Sequence, residues 1–359
     1  MFYRPAKAYI NLPALRHNLA YARRLAPNSK ILAVIKANGY GHGISRVAQQ
    51  LSGADGFGVA SIDEALYLRQ KGFLHRILLL EGLFSEAEIP LIIQNRLDLV
   101  VHSQHQLEWL LNYHTSAVIN VWIKIDTGMH RLGFDPEQVP SVIKQLDENL
   151  NHFNVQLMSH LASADETTDF AREFTQKQVT RFETSCKKLP QPKSLLNSAG
   201  LLQYSQFSYD WVRPGILLYG AGASNQQMQL QAVMRLESEV ISLKWIKAGE
   251  YVGYGNRWQA QRDTYVAVVA IGYGDGYPRH AREGTPVLIN GRRFPLIGRV
   301  SMDMITVDLT EMSEHVSEGD IAILWGEQLP IDEIAKCADT ISYELLCGVT
   351  KRVPMVEVQ

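Results

Sequence analysis

Ile31-Leu-Ala-Val-Ile-Lys36-Ala-Asn-Gly-Tyr40-Gly-His-Gly43 places five apolar residues in a row, ends them on a lysine and then turns through glycines. An unbroken apolar run of this length suits a strand buried on both faces, as in a parallel sheet. Working outward, comparable runs recur at Gly56–Ala60, Ile77–Leu80, Leu97–Val101, Val118–Ile125, Val155–His160, Ser194–Asn197 and Tyr209–Arg213. Helical spacing of apolar residues fills stretches between them, for example Ile62–Gly72 and Thr167–Lys188. Eight strand–helix pairs are the number that closes a (β/α)8 barrel, with an open doubly wound sheet as the alternative.

Beyond residue 230 the texture changes. Val233–Trp245, Thr264–Ile271, Thr285–Ile289, Arg293–Val300, Met304–Leu309 and Asp320–Trp325 are short β-type runs, punctuated by turn signals such as Asn290-Gly291. One helical pattern, Ile331–Cys347, follows them. The expected fold class is therefore α/β: a TIM barrel over 1–230, followed by a mostly β domain over 231–359.

The 35 basic and 37 acidic residues give a net charge of -2 and are spread along the chain. Neither a nucleic-acid stripe nor a polybasic membrane anchor is visible, and no segment approaches a membrane span. Three scattered cysteines, Cys186, Cys337 and Cys347, argue against a disulfide framework and for a reducing, cytoplasmic setting. Among eleven histidines, His102 and His105 have no carboxylate or cysteine at ligand spacing, so no metal site is expected.

Catalytic groups of a barrel come from the C-terminal ends of its strands. Lys36 closes the first apolar run, where desolvation would favour a neutral, nucleophilic amine. A strand-end lysine that merely snorkels to water is the competing reading. Lys124 and Asp126 alternate with isoleucines, and Arg131 follows a glycine turn from which its fork could reach a carboxylate or phenolate. His160 and Ser198 end two further runs. Ser198, with the amides of Gly200, Gly215 and Ile216, forms a candidate phosphate cup where such barrels bind phosphate, after strands seven and eight. In the second domain, Tyr254 stands between glycines and Met302 follows a β run.

Taken together these segments resemble the alanine racemases, fold-type III pyridoxal-phosphate enzymes, over essentially the whole chain. Val34-Ile-Lys-Ala-Asn-Gly-Tyr-Gly-His-Gly43 and Lys124-Ile-Asp-Thr-Gly-Met-His-Arg-Leu-Gly133 carry the resemblance. Val252-Gly-Tyr-Gly255, Ile271-Gly-Tyr-Gly-Asp-Gly-Tyr277 and Gly298-Arg-Val-Ser-Met-Asp303 follow in the same order. The resemblance implies interconversion of L- and D-alanine, for peptidoglycan supply or alanine breakdown, by a head-to-tail homodimer with shared active sites. It implies that Lys36 carries pyridoxal 5'-phosphate and that Tyr254 of the other subunit faces it. Tyr40, Ser198, Gly215 and Ile216 would hold the phosphate, and Arg213 would face the pyridine nitrogen. Arg131 and the Met302 backbone would contact the substrate carboxylate, with Lys124 at a position often carbamylated to orient Arg131. Lys351 departs from the pattern, because some members place an aromatic there at the entrance.

Racemisation requires one base on each face of Cα. A free phenol ionises near pH ~10, so bringing Tyr254 to neutrality needs about 4 kcal/mol of stabilisation, for which a cationic relay through His160 and Arg213 is the candidate. An arginine at the pyridine nitrogen disfavours a fold-type III decarboxylase, which tends to carry an acid there. A non-catalytic pyridoxal-phosphate-binding protein and a cofactor-free barrel remain the other readings.

Overall fold

The structure is a computed structural model that describes residues 3–222 and 229–359. Residues 1–2 and 223–228 of the expected first domain lie outside the described residues. The chain divides into two compact units, one of Arg16–Gly39 with Gly43–Leu218, the other of Met1–Leu15, Tyr40–His42 and Tyr219–Gln359.

The first unit is a closed parallel barrel, not an open sheet. Its strands are β2 (Lys30–Val34), β3 (Gly56–Val59), β4 (Arg76–Leu79), β5 (Asp98–Val101), β6 (Val118–Lys124), β7 (His152–Met158), β8 (Lys193–Ser194) and β9 (Trp211–Val212). β9 closes on β2 through Lys30–Trp211 and Ile31–Val212 pairing. All eight expected runs are strands, each shorter or displaced by a few residues at its ends. The barrel is filled rather than hollow: Leu32, Leu78, Val100, Trp122, Met158 and Trp211 form one buried cluster inside it. Near the N-terminal ends of the strands, the buried Asp98 accepts from Trp122 Nε1 at 2.9 Å and pairs with Arg76 at 3.1 Å. Helices between strands start on side-chain caps, as at Ser103 before Gln104–Asn112 and Thr168 before Asp169–Cys186.

The second unit is an eight-stranded sheet built on a long strand, β10 (Met234–Ile246). A hairpin, β11 (Tyr251–Val252) and β12 (Trp258–Gln259), follows it. The remaining strands are β13 (Thr264–Val269), β14 (Pro286–Ile289), β15 (Arg292–Ile297), β16 (Ile305–Asp308), β17 (Ile321–Trp325) and β18 (Met355–Val358). With β1 (Lys7–Asn11) included, their order is β13-β16-β15-β14-β17-β10-β1-β18, and β13 also pairs back onto β10.

Strand β1 falls within the expected barrel domain 1–230, and here the structure differs. It pairs antiparallel with β10 and parallel with β18, so the first fifteen residues join the β-rich unit. The reason is local. Lys-Ala-Tyr-Ile-Asn buries only alternate residues, the period of a half-buried strand and not of a barrel strand covered on both faces. The helical stretch expected over Ile331–Cys347 is two helices, Ile331–Cys337 and Ser342–Gly348, parted where Asp339 takes a φ of 52°.

Candidate active site

Lys36 lies two residues beyond β2, and the chain turns left-handed immediately after it. Ala37, Asn38, Gly39 and Tyr40 all take positive φ, between 49° and 63°. Such backbone costs about 1–2 kcal/mol for each non-glycine residue, so surrounding bonds must enforce it. Asn38 supplies them: its amide donates to Glu64 Oε1, its side-chain oxygen accepts from Ile44 N, and its carbonyl accepts from Gly43 N. The turn projects Lys36 from the rim, where its side chain is 39% exposed and its Nζ stands 3.9 Å from Glu81 Oε1.

The desolvated strand-end lysine expected at position 36 is therefore found elsewhere. Lys124, the last residue of β6, is only 7% exposed. Burial, followed by the charges of Arg131, Arg213 and Lys36, pushes its amine down to about 8, with Glu81 opposing. Lys124 has no carboxylate within ion-pair distance among the described residues, so no ion pair offsets the burial that lowers its amine. Asp126, expected on the same side as Lys124, is instead absorbed by its own loop. It accepts from Gly128 N, His130 N and His130 Nδ1. That loop returns to Lys124 through Phe134 and leaves Arg131 exposed.

The floor of the rim is organised by Arg213, 3% exposed and one residue beyond β9. Its Nη1 donates to Ser194 Oγ at 2.5 Å, and its Nη2 donates to Ser159 O at 2.5 Å and Leu195 O at 3.2 Å. Burial lowers the guanidinium to about 10, which still leaves it charged at neutral pH. Its Nε–H donates to nothing among the described residues. His160 Nδ1 lies 3.5 Å from Arg213 Nη2, and His160 Nε2 lies 3.3 Å from Asn197 Nδ2. Asn197 Oδ1 already accepts from Gly200 N, which fixes the amide nitrogen toward the histidine. With donors facing both ring nitrogens, and with burial and then Arg213 acting on it, the imidazole is held well below its ordinary range and stays neutral. Arg213 is thus the cation of this pair, and His160 is not.

Ser198 closes the other side. Its buried hydroxyl accepts from Gly215 N at 2.8 Å and Leu217 N at 3.2 Å. This modifies the expected cup, because the amides of Gly215 and Gly200 already have partners within the protein. Ile216 N is the amide of that turn with no partner among the described residues. Glu81 and Ser194 also support the rim and are not among the residues expected from the sequence, whereas Ser159 lies in the Ser159-His160 strand end that is. Glu81 ends the run Leu78-Leu-Leu80 by the same strand-end rule that marked Lys36. Ser194 carries no such signal, and the part Ser159 plays, a carbonyl turned toward Arg213, is not a side-chain property that a sequence shows.

In the β-rich unit, Tyr40 is buried and stacks on Tyr219 at 4.6 Å between ring centroids, with Tyr343 at 5.8 Å. Burial raises its phenol far above the ordinary value. Tyr254, in the loop joining β11 to β12, is 71% exposed, and Met302 is 52% exposed. Lys351 is also exposed.

A parallel (β/α)8 barrel whose C-terminal rim gathers amines, a buried guanidinium and an open amide belongs to the class of barrel enzymes that bind small anionic ligands. The alanine racemase N-terminal domain matches residues 10–223 and the alanine racemase C-terminal domain matches residues 233–357, so the chain belongs to the alanine racemase family. The alanine racemase of Vibrio cholerae is 48% identical, over 98% of this chain and 97% of that one. The crystal structure of the biosynthetic alanine racemase from Pseudomonas aeruginosa superposes with a TM-score of 0.95 at 42% identity, covering 99% of this chain and 100% of that one. The alanine racemase of Bartonella henselae, solved with covalently bound pyridoxal phosphate, has a TM-score of 0.87 at 29% identity, each chain being 99% covered. Among the described residues, no helix is long and apolar enough to cross a membrane.

Proposed function

We propose that this protein is an alanine racemase that interconverts L- and D-alanine with pyridoxal 5'-phosphate held at Lys36. One observation carries the residue assignments: a single barrel rim presents an accessible amine, the unspent Ile216 amide beside the Ser198 hydroxyl, and the unspent Nε–H of Arg213. These are the groups that an aldehyde, a phosphate and a pyridine nitrogen each require. When bound, the cofactor withdraws electrons from the substrate and makes its Cα–H removable.

Lys36 Nζ is the base on the D face, and Glu81 stands beside it as counter-charge. The Ser198 hydroxyl and the Ile216 amide would hold the phosphate, the resemblance adding the phenol of Tyr40, and His160 stands beside Arg213 at the same rim. Arg213 would donate to the pyridine nitrogen and keep its own proton, because three acceptors already fix its charged form. Arg131 and the amide of Met302 bind the substrate carboxylate. Lys124, whose amine burial lowers to about 8 and so makes easier to deprotonate than an ordinary lysine, is the amine suited to take up carbon dioxide as a carbamate, which would pair with Arg131.

Tyr254 is the base on the L face. Its exposure, with that of Met302, supports a head-to-tail homodimer in which each subunit lends both residues to the barrel of the other. Free cysteines throughout the chain support action in the cytoplasm. The test is direct. Borohydride reduction of the yellow protein followed by peptide mapping should place the label on Lys36, and the protein should racemise alanine ahead of other small amino acids. A colourless protein, inert to both enantiomers after cofactor is supplied, would overturn the proposal.

A further inference from the structure

The Gly272–Gly276 turn and the Ser301–Asp303 loop of the β-rich unit are tied together with one group left over. Ser301 O accepts from Tyr273 N at 3.0 Å, and Met302 O accepts from Gly274 N at 2.9 Å. Asp303 O accepts from Arg4 Nη2 at 2.7 Å, and Asp303 Oδ1 accepts from Arg352 Nη2 at 2.5 Å. Ser301 N donates to Met304 O at 3.0 Å. Met302 N–H donates to nothing among the described residues.

The contact is too close for side chains. A Cβ at Gly272 would stand 2.2 Å from Ser301 O, and one at Gly274 would stand 2.3 Å from Arg352 Nη1 and 3.0 Å from Met302 O. At the centre lies Asp275, fully buried. It accepts from Arg4 Nε at 3.1 Å, Arg4 Nη2 at 2.7 Å and Gly272 N at 3.0 Å, and Arg352 Nε is 3.4 Å from its Oδ1. One buried carboxylate thus holds two arginines, and each arginine reaches on to Asp303.

We propose that Asp275, Arg4 and Arg352 form a positioning cluster that fixes the 301–303 loop and presents the Met302 amide to the substrate carboxylate. The proposal rests on the assignment of Met302 as a carboxylate contact. An amide on a loop free to move would lose entropy on each binding event, whereas this one has its neighbours' carbonyls and a side-chain carboxylate already tied. A forked guanidinium is required because each arginine must serve two carboxyl-bearing residues at once.

The experiment compares the wild-type holoenzyme with Arg4→Met, Arg4→Lys and Asp275→Asn. It records KM and kcat for alanine, the visible absorbance of the bound cofactor, and the calorimetric Kd of propionate, a carboxylate without the amine. For Arg4→Met, KM and the propionate Kd should rise roughly tenfold while kcat changes by less than about threefold, with cofactor absorbance retained. Arg4→Lys should fall between, because it keeps the charge beside Asp275 but loses the forked reach to Asp303. If Asp275→Asn fails to fold, Arg4→Met still decides, since Arg352 continues to neutralise Asp275. An unchanged propionate Kd in Arg4→Met, beside an active wild type, overturns the positioning cluster and leaves the racemase assignment intact. Equal loss of cofactor, kcat and propionate binding in Arg4→Met and Arg4→Lys would show a merely structural role and also overturn it. A wild type that is inert and colourless overturns both.

Discussion

Three polar residues of the barrel, Arg213, Ser198 and Lys124, and two residues of the β-rich unit, Tyr254 and Met302, live in opposite environments. Arg213, Ser198 and Lys124 are buried, and Arg213 and Ser198 are fixed by hydrogen bonds from their own unit. Tyr254 and Met302 stand in the open. A buried guanidinium or hydroxyl must find its partners within the fold, because an unsatisfied polar group in the interior is costly. Exposed residues meet no such demand, so their roles depend on what comes to them. On the proposed assignments the barrel would supply a preformed cofactor seat, and Tyr254 and Met302 would act only once a partner surface meets them.

The largest effect that would test this contrast concerns Tyr254. Tyr254→Phe should slow racemisation by roughly 100- to 10,000-fold. Exchange of the D-alanine Cα hydrogen with solvent should persist, since Lys36 serves that face alone. Proton NMR in deuterated buffer reads both, and equal loss of exchange from the two enantiomers would break the division of labour. Next comes Arg213. Arg213→Glu should slow racemisation by roughly 100- to 1,000-fold and alter the visible spectrum, because a carboxylic acid can give the pyridine nitrogen a proton that Arg213 withholds. An unchanged rate and spectrum would refute its placement.

The smallest effect is on stability and belongs to Lys124. Its native value, about 8, lies below the ordinary 10.5. Below the native value the amine is charged in both states, and the cost of burying that charge is fully present. Between the two values the unfolded chain binds more protons than the native one, so stability should rise with pH across that window, by at most about 3 kcal/mol. Denaturant unfolding in carbonate-free buffer at successive pH values should show this rise, and Lys124→Met should abolish it. A wild type without the slope would place the lysine in water.

Legibility in the sequence followed the same division. The eight barrel strands could be read because continuous apolar runs such as Ile31–Ile35 have few other uses, and Lys36, His160, Ser198 and Arg213 were visible as polar residues ending them. The environment of each could not be read. Lys36 and Lys124 both close apolar strands, yet a left-handed turn carries one outward while the other stays inside. Asp126 looked like a companion of Lys124 and serves as the cap of its own loop. Asp275, in a glycine-rich stretch that reads as a turn, proved to be the fully buried anchor of two arginines, Arg4 and Arg352, lying 271 and 77 positions away.

The order of residues along the chain was enough to specify the barrel, the β-rich unit after it and the family, because strand periodicity and short motifs are properties of neighbours in sequence. Three-dimensional closure alone decided that β1 leaves the barrel for the sheet, that burial falls on Lys124, and that His160 is neutral beside a charged Arg213. Each of these is set by groups far apart in the chain. Hydration and Coulomb energies depend on distance in space, which a linear pattern does not contain.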